Sequence, residues 1–346
     1  LGLYDYLTNL TKNKKLRAVL NGNSLLYAGH KNIPFYVHAL IMNSYIESSY
    51  RCINGGSQIT RLLIKQLRNY NVDVFKHSEV VKYEVEQNAI KKAILKNGDV
   101  VSGKLFISNI DPKTTLQQVG QQHFKKAYYN RIMNLEDTIG SFSVFIKLKP
   151  NQIHYMNKNL YFHQTIDDAH LAEPISEDVP KFLLAMNANE EDQKYAESLT
   201  VLCYMDFEKV KAWENTVNTV ANPTDRGSDY EAFKKHYTDV LVNEVCKIFP
   251  NAKNVIESYY TTTPLSYRDY IGVNQGNLYG PVKSALNPLN HFIATKSKID
   301  NLYFTGQGVN MHGILGVTIG AVATCAEILG ADYLISKIKA HEEMVY

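Results

Sequence analysis

The sequence predicts an α/β fold of the mixed α+β kind, in more than one domain-sized part, and three observations carry that prediction. Apolar and polar residues alternate in short runs such as "EVVKYEVE" (79–86) and "SFSVFIKL" (141–148), the two-residue period of half-buried strands. Elsewhere apolar residues recur every three or four positions, the mark of amphipathic helices. Near the end, "NLYFT" (301–305) runs straight into a glycine-rich turn and then a small-residue, apolar stretch. At 346 residues the chain has room for two domains, or for one large domain with an insertion.

In chain order, residues 1 to about 50 are irregularly apolar and read as helical, with "HKNIP" (30–34) as a loop. Gly55 and Gly56 end an extended piece, and Ser57 is placed to cap the helix that follows. Ile59, Leu62, Leu63, Leu67 and Tyr70 fall on one face of that helix. "VDVF" (72–75) reads as a short strand. "EVVKYEVE", "AIKKAILK" and "DVVSGKLFIS" then form three strand-like runs, the last two joined by Asn97-Gly98, a strong hairpin signal. After Pro112 a polar helical stretch leads to "SFSVFIKL", to "LTVLCYM" (199–205), and to a long helix marked by Tyr230, Phe233, Tyr237, Val240, Leu241 and Ile248. "NVIESYYTTTP" (254–264) closes this part, and residues 116–275 read as a mixed sheet with helices.

Composition narrows the function. With 45% hydrophobic and 21% charged residues, the chain has material for a packed core and is not a disordered tract. A formal charge of +3, with Lys12–Arg17 as the densest basic block, argues against a nucleic-acid partner. Cys52, Cys203, Cys246 and Cys325 lie far apart and read as reduced, mostly buried thiols of a cytoplasmic protein. The 11 histidines lack zinc-site spacing. The 24 tyrosines suit a channel for a large apolar ligand, but a coding bias that also enriches Asn, Lys and Ile explains them as well. "LGLYDYLTNL" has no signal-peptide pattern and no initiating Met, so the amino end is expected to be cut or incomplete. Gly316–Ile335 is long enough to span a membrane, but Glu327, Asp332 and its Gly, Ala and Thr content make it a packed helix instead.

The turn after "NLYFT" holds Gly306-Gln307-Gly308 but puts Met311 where G-x-G-x-x-G needs its third glycine. It is not a free-standing dinucleotide fingerprint. A helix starting after Gly313 turns unpaired N–H groups and a positive dipole end toward the loop, which suits a diphosphate or the pyrimidine edge of a flavin. Gly316, Gly320 and Thr324 recur every four residues and permit close approach to a sheet or a cofactor. Tight packing of the helix on its own strand explains the same residues.

"LYFTGQGVNMHGILGVTIGAVATCAEIL" resembles the C-terminal flavin-contacting segment of the phytoene desaturase, carotenoid isomerase and retinol saturase group, within the FAD-dependent amine-oxidase-like superfamily. "INGGSQITRLLIKQL", the run from His77 to "SNIDPKTT", and "TPLSYRDYIGVNQGNLYGP" resemble further segments of that group in the same order. The resemblance implies an incomplete Rossmann-like FAD-binding domain plus a substrate domain with a mixed sheet and helices. It divides the chain into a helical part (1–50), an FAD-domain segment (51–115), a substrate domain (116–275) and a C-terminal return to the FAD domain (276–346). It implies FAD contacts from Gly306, Gln307 and Gly308 to the diphosphate, and from Gly313, Ile314 and Leu315 to the flavin ring. Val80 matches a residue whose backbone meets adenine, and Gly55 and Gly56 a loop near the substrate cavity.

The implied activity is flavin-dependent saturation, desaturation or isomerisation of carbon–carbon bonds in an apolar polyene, with NAD(P)H as one electron source and peripheral membrane contact compatible with such a substrate. His312 is the candidate proton donor or flavin-orienting group, with a hydrogen-bonding spacer as the alternative. Tyr279 lines the cavity or belongs to the core, and Asn109 and Asp111 cap the next helix or set the loop beside the cofactor. The group's opening strand and G-x-G-x-x-G loop do not occur in this sequence. Two further readings remain open: a non-catalytic module binding an apolar ligand or partner, and an amine-oxidising flavoenzyme, for which Tyr303 and Phe304 are the aromatic candidates near the last strand.

Overall fold

A computed structural model describes residues 1–52, 55–163, 165–166, 169–171, 180–188 and 193–342. Two compact units emerge: residues 1–75, 139–270 and 275–278 in one, and 76–138, 271–274 and 279–346 in the other. The helix Ser57–Asn69 groups with the first unit, and residues 116–138 with the second.

The first unit is built on a five-stranded sheet in the order Leu160–Phe162, Phe182–Ala188, Ala196–Met205, Gly140–Leu148, Ile256–Thr262. Every ladder is antiparallel, where a mixed sheet was expected. Alternation along Gly140–Leu148 reports which side chains are buried and is silent on strand direction. Phe142, Val144, Ile146 and Leu148 are buried as their period requires, while Phe145 and Lys147 are exposed. The helix Ser228–Ile248 adds Tyr230, Tyr237, Leu241 and Val245 to the same core, with Tyr237 and Phe142 at a ring distance of 5.8 Å.

The amino-terminal helices Leu3–Leu10 and Phe35–Glu47 form a smaller core from Leu3, Leu7, Tyr27, Ile33 and Val37. Buried Tyr204 ties it to the sheet, donating to Leu25 O at 2.5 Å and accepting from Ala28 N–H at 3.0 Å. Ser57 is the first residue of its helix rather than the cap; Gly56 holds the cap position. The apolar face of that helix falls where its spacing puts it, yet Leu62 and Leu63 are 57% and 60% exposed and no residue of the helix is buried. Ile53 and Asn54, the extended piece expected before the glycines, lie outside the described residues. "VDVF" is irregular rather than a strand, with Val72, Val74 and Phe75 exposed.

In the second unit, Val80–Glu86, Ala89–Leu95 and Val100–Ser102 form the expected antiparallel meander. The run 99–108 is two strands, not one. After Gly103 the chain leaves the meander, and Phe106–Ser108 pairs in parallel with Leu302–Phe304. Asn301 staples the two sheets by bonding the Ile90 N–H and C=O at 2.8 and 2.9 Å. Ile90, Leu116, Ile132, Ile299, Leu302 and Phe304 form the core. The expected helix at Gly316–Ile335 is two, Gly313–Leu329 and Ala331–Glu342, broken at Gly330. No helix among the described residues is long and apolar enough to cross a membrane. Of the four thiols, Cys203 is buried and Cys52, Cys246 and Cys325 are half-buried.

Candidate functional site

The parallel pair brings two strand ends together. Phe304 sits opposite Ser108, so both chains leave the sheet on the same edge. In open α/β sheets the edge beyond the carboxyl ends of parallel strands is where ligands bind. Here that edge carries residues 109–112 from one strand and 305–312 from the other.

The turn at Gly306–Gly308 is closely walled. Gly306 is buried with φ +94°, and a side chain on it would run into the Asn109 amide oxygen. A Cβ on Gly308 would lie 3.0 Å from Pro112 Cδ, and one on Gly280 would lie 2.9 Å from Gly308 Cα. Backbone meets backbone between Gly280 and Gly308, and glycine at all three positions leaves peptide groups uncovered by side chains, the condition for them to come close to a phosphate. Thr305 N–H bonds Ser108 O at 2.9 Å and Val309 N–H bonds Gly306 O at 3.2 Å, which fixes both ends of the turn.

Two helices start on this edge, and their amino ends differ. In Pro112–Val119 the Asp111 carboxylate accepts from Lys113 N–H at 2.8 Å, and Pro112 has no N–H to offer. That end is filled by its own acid. In Gly313–Leu329 the cap residue is His312, whose side chain makes no cap hydrogen bond and packs on the Tyr279 ring at 4.4 Å. Gly313, Ile314 and Leu315 in its first turn are exposed. The second helix is therefore the one whose positive end is left open, the arrangement that suits an anionic ligand.

The structure thus gathers Gly306, Gln307, Gly308, His312, Gly313, Ile314, Leu315 and Tyr279 in one unit, with Tyr279 half-buried against His312. Val80 opens the meander, and its carbonyl accepts from Gln118 at 2.7 Å. Gln118 lies six residues along the helix from Pro112, about 9 Å at ~1.5 Å per residue. Gly55 and Gly56 belong to the other unit. Of the two capping candidates, Asp111 caps the helix, and Asn109 lies against Gly306.

Sequence reasoning missed the polar cluster behind this turn. Lys113 Nζ donates to Asp137 at 2.7 Å and to Leu135 O at 2.6 Å, and the paired side chains are only 11% and 9% exposed. Asn274 donates its side-chain amide to Asp137 at 2.7 Å. Burial pushes the Asp111 carboxyl above its ordinary value, against the Lys113 N–H bond, and the nearby Asp137 charge adds to the rise. Lys113 and Asp137 are separated by 24 positions and by a helix, so no local spacing announces them.

No family model matches the chain. A curated relative, the all-trans-retinol 13,14-reductase of Danio rerio, is 25% identical over 94% of this chain and 57% of its own length. The chain thus spans somewhat more than half the length of that relative. Among solved structures, an oxidoreductase from Methanosarcina mazei superposes with a TM-score of 0.62 at 14% identity, covering 94% of this chain and 67% of that one. A putrescine oxidase bound to putrescine superposes with a TM-score of 0.55 at 13% identity, covering 98% and 68%. The chain therefore has an α/β fold shared with oxidoreductases and is similar in sequence to retinol reductases.

Proposed function

We propose that this chain supplies the closing turn and helix of the FAD site in a flavin-dependent oxidoreductase acting on carbon–carbon double bonds of an apolar retinoid- or carotenoid-like polyene. One observation carries the cofactor part: the walled glycine turn at the carboxyl ends of two parallel strands leads into the helix whose amino end is not filled by its own acid. Those residues fit a dinucleotide, since Gly306 and Gly308 offer backbone without side chains and the first turn of Gly313–Leu329 is open. The substrate part is supported by the similarity to the retinol reductase.

In this reading Gly306, Gln307 and Gly308 lie along the diphosphate, and the backbone at Gly313, Ile314 and Leu315 faces the flavin. Val80 lies toward the adenine, and Tyr279 toward the substrate. When bound, the flavin supplies hydride exchange with the substrate's carbon–carbon bond. His312, at the start of the helix, holds a proton at its ring for delivery to the substrate carbon or orients the ring system. NAD(P)H is the proposed electron source, and peripheral contact with a membrane suits an apolar substrate. The amine reading loses its aromatic candidates: Phe304 is wholly buried in the unit's core and Tyr303 is 8% exposed, so neither is an open wall for an amine.

The test is spectroscopic. The purified chain, extended at its amino end by the opening strand and G-x-G-x-x-G segment that the resembled group carries, should quench flavin fluorescence when titrated with FAD. Once loaded and reduced anaerobically, it should bleach the polyene absorbance of all-trans-retinol, and NADPH should replace the chemical reductant. Absence of FAD binding overturns the cofactor assignment. A loaded protein that leaves retinol intact but whose flavin is reduced by putrescine overturns the substrate assignment.

A further inference from the structure

The walls of the glycine turn come from two segments distant in sequence, and a buried ion pair joins them. On one side Pro112 abuts Gly308. On the other Gly280 abuts Gly308, and its segment is held by Glu136–Thr138: Thr138 N–H bonds Gly280 O at 2.9 Å, Val282 N–H bonds Glu136 O at 2.8 Å, and Asp137 bridges Pro281. Lys113 follows Pro112, and Asp137 lies in the strip that holds Gly280. Their contact at 2.7 Å closes a ring running Gly308, Pro112, Lys113, Asp137, Pro281, Gly280 and back to Gly308.

We propose that Lys113 and Asp137 are positioning residues whose ion pair sets the spacing of the two walls around Gly306–Gly308, and with it the grip on a dinucleotide diphosphate. The ligand named here rests on the flavin reading; the ring itself does not. Neither side chain needs to touch the ligand, because the ring transmits position through the Pro112 ring on one side of the turn and the Gly280 backbone on the other. The choice of residue types fits that task. Lys113 reaches from the first turn of its helix and satisfies two acceptors, Leu135 O and Asp137, so one ammonium fixes both the strip and the connection preceding it. Asn274, itself exposed, takes the carboxylate oxygen on which Lys113 also acts and brings the 271–274 segment to the same point.

The test separates positioning from folding. Lys113→Met alone leaves a buried carboxylate without its counter-charge, a change that can unfold the unit. The informative variant is therefore Lys113→Met/Asp137→Leu, since apolar replacement of both partners of a buried pair is often neutral for stability. In the chain without cofactor, hydrogen exchange at the Thr305 and Val309 amides should speed up about tenfold or more, a coupling of the size found within one contact network. Exchange in the meander, at the Ala93 amide, should stay unchanged. With FAD, the dissociation constant should rise about tenfold, and Lys113→Arg should recover most of the affinity. Unchanged exchange at Thr305 and Val309, equal acceleration at Ala93, or unchanged FAD affinity overturns the proposal. If the unaltered chain, extended by the opening segment named above, binds no FAD, the flavin reading fails by itself, and the exchange arm still decides the ring.

Discussion

Two glycines on one face of the helix Gly313–Leu329 should respond in opposite directions to the same substitution. Gly316 and Gly320 are both buried, one turn apart, and both have helical backbone. A Cβ on Gly320 would find its nearest neighbour, Asn310 Nδ2, at 3.7 Å, an ordinary contact. Gly320→Ala then gains the helix propensity that glycine forfeits, about 0.8–1 kcal/mol. A Cβ on Gly316 would meet the Met311 carbonyl carbon and Cβ at 2.7 Å and its oxygen at 2.8 Å. Comfortable carbon contacts begin near ~3.5 Å, so the turn and helix must separate by roughly 0.8 Å. Overpacking of that kind costs about 1–3 kcal/mol, and the obstacle here is backbone that cannot rotate away. The net expectation is stabilisation by up to about 1 kcal/mol for Gly320→Ala and a loss of up to about 2 kcal/mol for Gly316→Ala. The assay is urea unfolding followed by hydrogen exchange at Leu302 and Phe304, whose amides bond Ile299 O and Thr295 O inside the unit's core. FAD titration of the same variants reads the site: Gly316→Ala should weaken binding because it moves the helix start against the turn. If Gly316→Ala stabilises as Gly320→Ala does, the close contact between turn and helix is not what the two glycines are for.

Two further outcomes follow from buried charge. Burial holds the Asp111 carboxyl above its usual 3.8, so between that value and the raised one the folded unit carries more protons than the unfolded chain. Stability contributed by this group is then present at low pH and is lost as pH rises through the raised value. Lys113, Asp137 and the Asn274 N–H face the group and are unchanged in Asp111→Asn, which keeps a good cap residue; urea unfolding by near-ultraviolet circular dichroism should therefore show a flatter profile above pH 4, and an unchanged slope would contradict the assignment. In the first unit, Asp269 is 1% exposed, receives Arg226, and accepts from Arg268 Nε and Asn218 N–H at 2.8 Å each. Asp269→Asn removes the counter-charge of a guanidinium that is 5% exposed and should cost about 3–5 kcal/mol, read from the fluorescence of the single tryptophan, Trp213, which packs on Tyr230 at 5.2 Å.

What the sequence discloses about this fold is local. The meander is legible because Asn97-Gly98 fixes a hairpin and alternating residues fix its faces. The long helix Ser228–Ile248 is legible because Tyr230, Tyr237 and Leu241 keep one period and share one core. The division of 99–108 is not legible, since both halves are apolar and the partner that captures Phe106–Ser108 lies almost two hundred residues later. The "VDVF" stretch has strand composition but is irregular and exposed. In the candidate site the glycines stand out in the sequence, because a turn of this kind tolerates few other residues. The Lys113–Asp137 pair does not, because an ion pair between distant segments leaves no periodic trace.

The helix Gly313–Leu329 shows why the glycines and the site belong together. An ordinary amphipathic helix turns its large apolar side chains inward. This one buries Gly316, Gly320 and Thr324 and leaves Ile314, Leu315 and Ile319 exposed. Small residues at the contact bring the helix so near its own strand that the Thr324 hydroxyl donates toward Phe304 O at 3.2 Å as well as Gly320 O at 2.9 Å. A helix held that close is aligned by backbone rather than by flexible side chains. Its amino end is delivered directly to the strand edge where the glycine turn lies. The tight-packing and the proposed cofactor readings of this small-residue face are therefore not rivals, because close packing on the strand is what would aim a helix dipole at a ligand on that edge.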